Sequence, residues 1–144
     1  MPATPILNQF NLVVSDMEAT VAFYRRLGLT IPDLDGAWPN NHRSATTAGG
    51  IALDFDTVEF ARVWDQGWTA RPGGGMGVLG FGVESREAVD ALYADMISAG
   101  YPGQQPPYDA FWGARYAIVS DPDGNAVGIM SPISPERRSP PPDA

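Results

Sequence analysis

The sequence predicts an α+β fold made of two βαβββ modules, and two observations support that prediction. A strand pattern followed by a helix pattern and further strands occupies residues 6–56, and a similar order returns in residues 77–131. The helix segments Met17–Tyr24 and Arg86–Tyr93 also align residue for residue, at a constant offset of 69 positions. We therefore expect one domain over residues 1–131 that contains a duplicated module.

The first module, residues 6–56, combines one capped helix with strands on both sides. Asp16 is expected to cap a helix over Met17–Leu27, and Gly28 to end it, because a carboxylate accepts from the first free amides and glycine tolerates the terminating turn. A loop rich in Pro, Asp, Gly and Asn follows over 32–41. The strands predicted here are 7–14, 29–31, 43–47 and 51–55.

The second module, residues 77–131, repeats this plan. Ser85 is expected to cap a helix over Arg86–Ala99, and Gly100 to end it. The strands predicted here are 78–83, 114–119 and 126–130.

Two segments lie outside the modules. Residues 57–76 contain Trp64, Trp68 and three consecutive glycines, and are too long for a tight turn, so we expect a mobile connector or a lid. Residues 132–144 are mostly Pro, Ser and charged residues, which predicts a disordered tail.

The composition excludes several classes of function. The net charge is −8 and the basic residues form no cluster, which argues against a nucleic-acid partner. The chain has no cysteine, and so no disulfide or thiolate ligand. Met1–Asn8 does not resemble a signal peptide, and no apolar run approaches the ~20 residues of a membrane span. We expect a cytoplasmic protein without a membrane partner.

Two motifs carry a resemblance to a known superfamily. Val13–Ala19 with Phe23–Leu29, and Asp121–Asn125, resemble the opening and closing signatures of the vicinal-oxygen-chelate superfamily of glyoxalases, bleomycin-resistance proteins and extradiol dioxygenases. The resemblance implies a curled eight-stranded mixed sheet around an internal cleft, and commonly a homodimer. The Asp121–Asn125 stretch also has a structural explanation as a tight turn, and we assign it no catalytic role.

The same resemblance locates the positions that hold metal ligands in metal-dependent relatives. In this chain they are Gln9, Asp54, Val78 and Gly128. Val78 and Gly128 offer no ligand atom, so we expect neither metal nor cofactor. A shift of one strand residue would reverse the face and is the main risk. The single histidine, His42, lies in a polar segment and is interpreted as a solvated loop residue.

Loop aromatics and a few polar residues are the candidate ligand-binding groups. Large rings outside the helices favour a flat aromatic ligand, and a carboxylate in the cleft could pair with an amine. The candidates are Gln9, Trp38, Asp54, Phe55, Trp64, Trp68, Tyr108, Phe111, Trp112 and Arg115.

Three functions stay open on the sequence alone. The first is a binding protein that sequesters an aromatic small molecule, such as an antibiotic, without chemistry. The second is a metal-free enzyme of natural-product metabolism in which Asp54 acts as acid or base. The third is a glyoxalase-like or dioxygenase-like metalloenzyme, which would require the ligand positions to be misassigned.

Overall fold

The chain divides into two compact units, residues 1–70 (unit 1) and 71–144 (unit 2). The computed structural model describes Thr4 and residues 6–33, 41–70 and 77–142. These residues form three α-helices and two mixed sheets, of three and four strands, which confirms the α+β class. Seven strands are described in place of the eight that the resemblance implies. None of the described helices combines the length and the apolar character needed to cross a bilayer.

Unit 1 contains a three-stranded sheet and two helices. The central strand β3 pairs in parallel with β1 and antiparallel with β2. The element bounds are β1 Gln9–Val14, α1 Met17–Leu27, β2 His42–Ala45, β3 Ala52–Thr57 and α2 Val58–Trp64.

Alternation along these strands separates an apolar face from a polar one. Leu12, Val14 and Phe55 are buried on one face, and the Phe55 ring lies 5.2 Å from the ring of Tyr24 on α1. Asp16 caps that helix as predicted, because its Oδ1 accepts from the Ala19 amide at 3.0 Å. Each large apolar side chain buried in this way contributes roughly 1.5–3 kcal/mol. The opposite face of the sheet therefore carries the polar side chains.

The structure differs from the sequence prediction at two places in unit 1. The connector begins with helix α2, whose first turn is capped by Thr57 accepting from the Phe60 amide at 3.3 Å. The segment predicted as a strand at 29–31 forms only an isolated bridge between Thr30 and Thr46. The triple glycine at 73–75 lies outside the described residues.

Unit 2 contains a four-stranded sheet with the order β4-β7-β6-β5 and one α-helix. Ser85 caps α3 as predicted, with its Oγ accepting from the Ala88 amide at 3.0 Å. The element bounds are β4 Val78–Gly82, α3 Arg86–Ser98, β5 Gly103–Asp109, β6 Arg115–Ser120 and β7 Ala126–Met130.

Strand β5 is absent from the sequence prediction, because Pro106 and Pro107 argue against a strand. Proline cannot donate to a ladder, yet it is tolerated where the strand has a neighbour on one side only. The strand occupies the edge of its sheet, and its pairing with β6 contains two register shifts. The prolines therefore mark an edge strand.

Residues 132–142, for which the composition predicts disorder, carry defined contacts. The Ser134 amide donates to the Gly113 carbonyl and the Ser139 amide to the Phe111 carbonyl, both at 2.9 Å. A short 3-10 helix, Pro135–Arg137, lies between them. Backbone hydrogen bonds hold this segment against the loop before β6, and composition does not reveal such bonds.

Candidate functional site

The polar face of the unit 1 sheet is built from pairs of residues two positions apart, one pair on each strand. Register brings Asn11 beside Asp54, Ser44 beside Asp54, and His42 beside Asp56. Since alternate residues share a face, the six side chains lie together. The pairs are Gln9 and Asn11 on β1, His42 and Ser44 on β2, and Asp54 and Asp56 on β3.

Asp54 is held by one neighbour on each side. Its Oδ2 accepts from Gln9 Nε2 at 2.5 Å, and its Oδ1 accepts a hydrogen bond from the Ser44 hydroxyl. The residue is only 8% exposed. Hydrogen bonds to both oxygens offset part of the cost of burying a carboxylate. Both oxygens are thus engaged without a ligand.

Asp56 repeats this arrangement two residues further along β3. Its Oδ2 accepts from Asn11 Nδ2 at 2.6 Å, and its Oδ1 lies 2.5 Å from His42 Nδ1. The residue is 2% exposed. The Asn11 Oδ1 atom is buried and has no hydrogen-bond partner within the described part of the chain. This face therefore retains an acceptor that a donor could satisfy.

Helix α2 turns this polar face into a cleft of about 310 Å³. Phe60 and Trp64 contribute its aromatic wall, and the rings of Phe60 and His42 are 6.2 Å apart. Trp64 is half exposed. The lining residues are Gln9, Asn11, His42, Asp56, Phe60 and Trp64. The volume lies at the lower end of the range for small-molecule sites, about 300–1,000 Å³.

The matching face of the unit 2 sheet has no such polar pairs. Gly80 on β4 lies beside Gly128 on β7, just as Asn11 on β1 lies beside Asp54 on β3. The space over Gly128 is taken by Tyr116, since a Cβ at residue 128 would lie 2.6 Å from the Tyr116 Oη. Gly128 therefore supports the Tyr116 ring, whereas nothing lies within 4 Å of a Cβ that would be added at Gly80.

Four aromatic residues, Tyr116 among them, pack edge to face in unit 2. The Trp112 ring lies 5.4 Å from that of Tyr116 and 5.3 Å from that of Phe111, and Tyr108 lies 6.3 Å from Tyr116. Burial, followed by the proximity of Tyr108, raises the pKa of Tyr116. Tyr108 and Phe111 remain well exposed, at 38% and 39%.

Arg115, a predicted ligand contact, is engaged by two carboxylates of unit 2. Its Nε donates to Asp90 Oδ1 at 2.9 Å and its Nη1 to Asp109 Oδ1 at 3.2 Å. Asp90 first, and Asp109 less, raise the pKa of Arg115. Arg86, followed by Arg115, lowers the pKa of Asp109. The guanidinium is thus already neutralised by acids of its own unit.

Two of the four positions that bind metal in metal-dependent relatives carry no ligand atom in this chain. In unit 1, Gln9 and Asp54 both carry oxygen atoms, and the Gln9 amide nitrogen donates to the Asp54 carboxylate. In unit 2, Val78 has no ligand atom and Gly128 lies under Tyr116. Among the described residues, no group of three or more His, Asp and Glu side chains could hold an ion.

The predicted ligand contacts occupy different places. Gln9 and Trp64 line the unit 1 cleft, while Phe55 is fully buried on the opposite face and so cannot contact a ligand there. Asp54 and Phe55 were both predicted as ligand contacts, but successive strand residues face opposite sides of a sheet. Trp68 carries the Arg62 guanidinium 5.8 Å from its ring centroid. Trp38 lies outside the described residues.

Three cleft residues were not predicted as ligand contacts: Asn11, His42 and Asp56. His42 is the first residue of β2 and pairs with Asp56, so it is not a solvated loop residue. The sequence feature that indicates these residues is the alternation of polar and apolar positions along each strand. Polar side chains two positions apart, with apolar or buried residues between them, recur on all three strands of unit 1.

Unit 1 combines a mixed sheet, helices and a small polar cleft, and unit 2 follows a similar plan of strands and a helix. Residues 6–129 match the Glyoxalase/Bleomycin resistance protein/Dioxygenase superfamily, and the chain belongs to that superfamily. No curated protein matches the chain.

Solved structures agree on the fold. A hypothetical protein from S. aureus is 21% identical with a TM-score of 0.76, covering 91% of this chain and 96% of its own. A glyoxalase-related enzyme from Fulvimarina pelagi is 21% identical with a TM-score of 0.75, covering 90% and 89%. A glyoxalase/bleomycin resistance protein/dioxygenase family enzyme from Burkholderia phytofirmans PsJN is 25% identical with a TM-score of 0.72, covering 87% and 97%.

Proposed function

We propose that this protein binds and sequesters a small aromatic molecule bearing a cationic amine, such as an antibiotic, without using a metal. The observation that supports this most is the unit 1 cleft, which combines the buried carboxylate of Asp56 with the rings of Phe60 and Trp64. An amine would hydrogen-bond to the carboxylate edge while an aromatic ring packs against the side chains of α2.

The charge of the polar face favours a cation over an anion. Asp54 and Asp56 share this face, about 7 Å apart along β3 by the rise of a strand, and His42 is the only basic side chain among the cleft-lining residues. Each carboxylate receives two hydrogen bonds from its neighbours, which keeps it in place with lone pairs to spare. The net charge of −8 acts in the same direction at longer range.

Three ligands with the same ring and different charge test the proposal: phenethylamine, 2-phenylethanol and phenylacetate. A single-ring ligand of this size is expected to bind with a Kd of roughly 0.1–1 mM by calorimetry. Affinity should fall in the order amine, alcohol, acid, with the acid at least about tenfold weaker than the amine. Equal affinity for all three, or a preference for the acid, would refute a cation site.

Two matched variants on α2 locate the binding site. Trp64→Ala removes the exposed aromatic wall and should weaken phenethylamine binding several-fold, whereas Val63→Ala, at a neighbouring residue that is 74% exposed, should not. Asp56→Asn should abolish the preference for the amine. Asp33→Asn makes the same charge change at a side chain that is 95% exposed and serves as its control.

Sequestration itself requires a ligand that returns unchanged. Expression of the protein in a susceptible bacterium should raise the inhibitory concentration of an aromatic, cationic antibiotic that it binds. The drug extracted from the complex should have its original mass. A modified drug would refute sequestration of that drug.

A further inference from the structure

Three side chains beside the cleft form a hydrogen-bonded series from hydroxyl to imidazole to carboxylate. The Ser44 Oγ lies 3.4 Å from His42 Nε2, and His42 Nδ1 lies 2.5 Å from Asp56 Oδ1. The Asp56 side chain is 3% exposed and that of His42 is 28% exposed. The sheet fixes the series, because His42 and Ser44 share a face of β2 and His42 is in register with Asp56 on β3.

This order is that of a nucleophile, a base and a group that orients the base. A buried carboxylate on Nδ1 holds the imidazole in the tautomer whose Nε2 can accept a proton. Asp56 is fixed in turn by Asn11, whose Nδ2 donates to its second oxygen at 2.6 Å. The Ser44 hydroxyl donates to Asp54 Oδ1 in this structure and would turn to His42 Nε2 to transfer its proton. Its separation from His42 is looser than 3.2 Å, as is common for such pairs without substrate.

We propose that Ser44, His42 and Asp56 form an acyl-transfer site that hydrolyses small aryl esters. This inference rests on the cleft of the proposed function and goes beyond it by adding a reaction. The substrate class follows from the cleft, because about 310 Å³ accommodates a single ring beside Phe60 and Trp64. His42 lines that cleft, and the exposed Ser44 hydroxyl lies 3.4 Å from its Nε2.

The reaction proceeds in two balanced steps. Ser44 Oγ bonds to the acyl carbon and its proton passes to His42 Nε2; the bond between the acyl carbon and the aryl oxygen breaks, and His42 returns the proton to the departing phenol. Water then attacks the acyl-serine and gives a proton to His42 as the bond to Oγ breaks. Ser44 regains that proton, and the carboxylic acid leaves.

The composition limits side reactions in a test of this proposal. The chain has no lysine, no cysteine and a single histidine, so few other side chains can react with an activated ester. p-Nitrophenyl acetate should be hydrolysed catalytically by the wild type. Ser44→Ala and His42→Gln should each lower the protein-dependent rate by about 100-fold. Ser98→Ala, at an exposed serine on α3, should leave it unchanged.

A label on the wild-type protein avoids dependence on variants that might not fold. A fluorophosphonate should form a single adduct at Ser44, located by mass spectrometry, and the adduct should block hydrolysis. No adduct at Ser44, or hydrolysis that survives Ser44→Ala, would overturn the inference. Phenethylamine binding by the wild type separates the two proposals. Binding without hydrolysis refutes the esterase proposal alone, whereas the absence of both binding and hydrolysis refutes both proposals.

Discussion

Gly128→Ala is the substitution whose effect the structure predicts most directly. The new Cβ would lie 2.6 Å from Tyr116 Oη, closer than side-chain carbons normally approach, and the Tyr116 ring would have to move. Overpacking of this kind costs about 1–3 kcal/mol. For a chain of this length, that corresponds to a midpoint lower by roughly 3–10 °C.

Gly80→Ala is the matched control. Gly80 lies beside Gly128 across the β4–β7 ladder, and nothing lies within 4 Å of the Cβ that would be added there. The same substitution should leave stability unchanged or raise it by about 0.4–1 kcal/mol, since alanine restricts the unfolded chain. Thermal unfolding followed by circular dichroism measures both variants. Equal shifts, or a more stable Gly128→Ala protein, would refute the packing of Tyr116 over this glycine.

Three further predictions concern other parts of the chain. The pKa of Tyr116 is raised by burial and then by Tyr108. The protonated phenol therefore stabilises the folded state fully below the ordinary tyrosine pKa of about 10, and this stabilisation is lost as pH rises through the pKa of Tyr116 in the folded state. Ultraviolet titration of Tyr116→Phe should therefore lack a late-ionising phenol; an unchanged curve would contradict this. The pKa of Asp109 is lowered, chiefly by Arg86, so Arg86→Gln should raise it in a carboxyl NMR titration, and an unmoved value would exclude the pair. Thr57→Ala should cost about 1 kcal/mol by denaturant unfolding, because it removes the cap of α2; no loss would show that the cap is dispensable.

Local patterns account for most of the fold. The capping residues Asp16 and Ser85 and the repeat offset of 69 place both long helices correctly. Strand β5 was missed because Pro106 and Pro107 are unfavourable within a sheet, and only the strand order shows that they lie at an edge. Whether a strand lies at the edge of a sheet depends on the tertiary structure, which the local sequence pattern does not show.

The candidate site was harder to predict, because it depends on register between strands. The sequence places Gln9 and Asp54 as a pair, but the partnership of His42 with Asp56 requires β2 to lie beside β3 in one particular register. A shift of one residue would have sent His42 to the apolar face. Helix α2, which brings Trp64 to the cleft, lies in a segment whose glycines and tryptophans predict a loop.

Amide and indole NMR during a phenethylamine titration tests the central claim most directly, because it reports where the ligand binds as well as whether it binds. With phenethylamine, the account predicts saturable shifts at His42, Phe60 and the Trp64 indole. Phenylacetate should shift these signals only slightly. Shifts confined to Tyr108 and Trp112 of unit 2, or no saturable shift at all, would contradict a cation site in the unit 1 cleft.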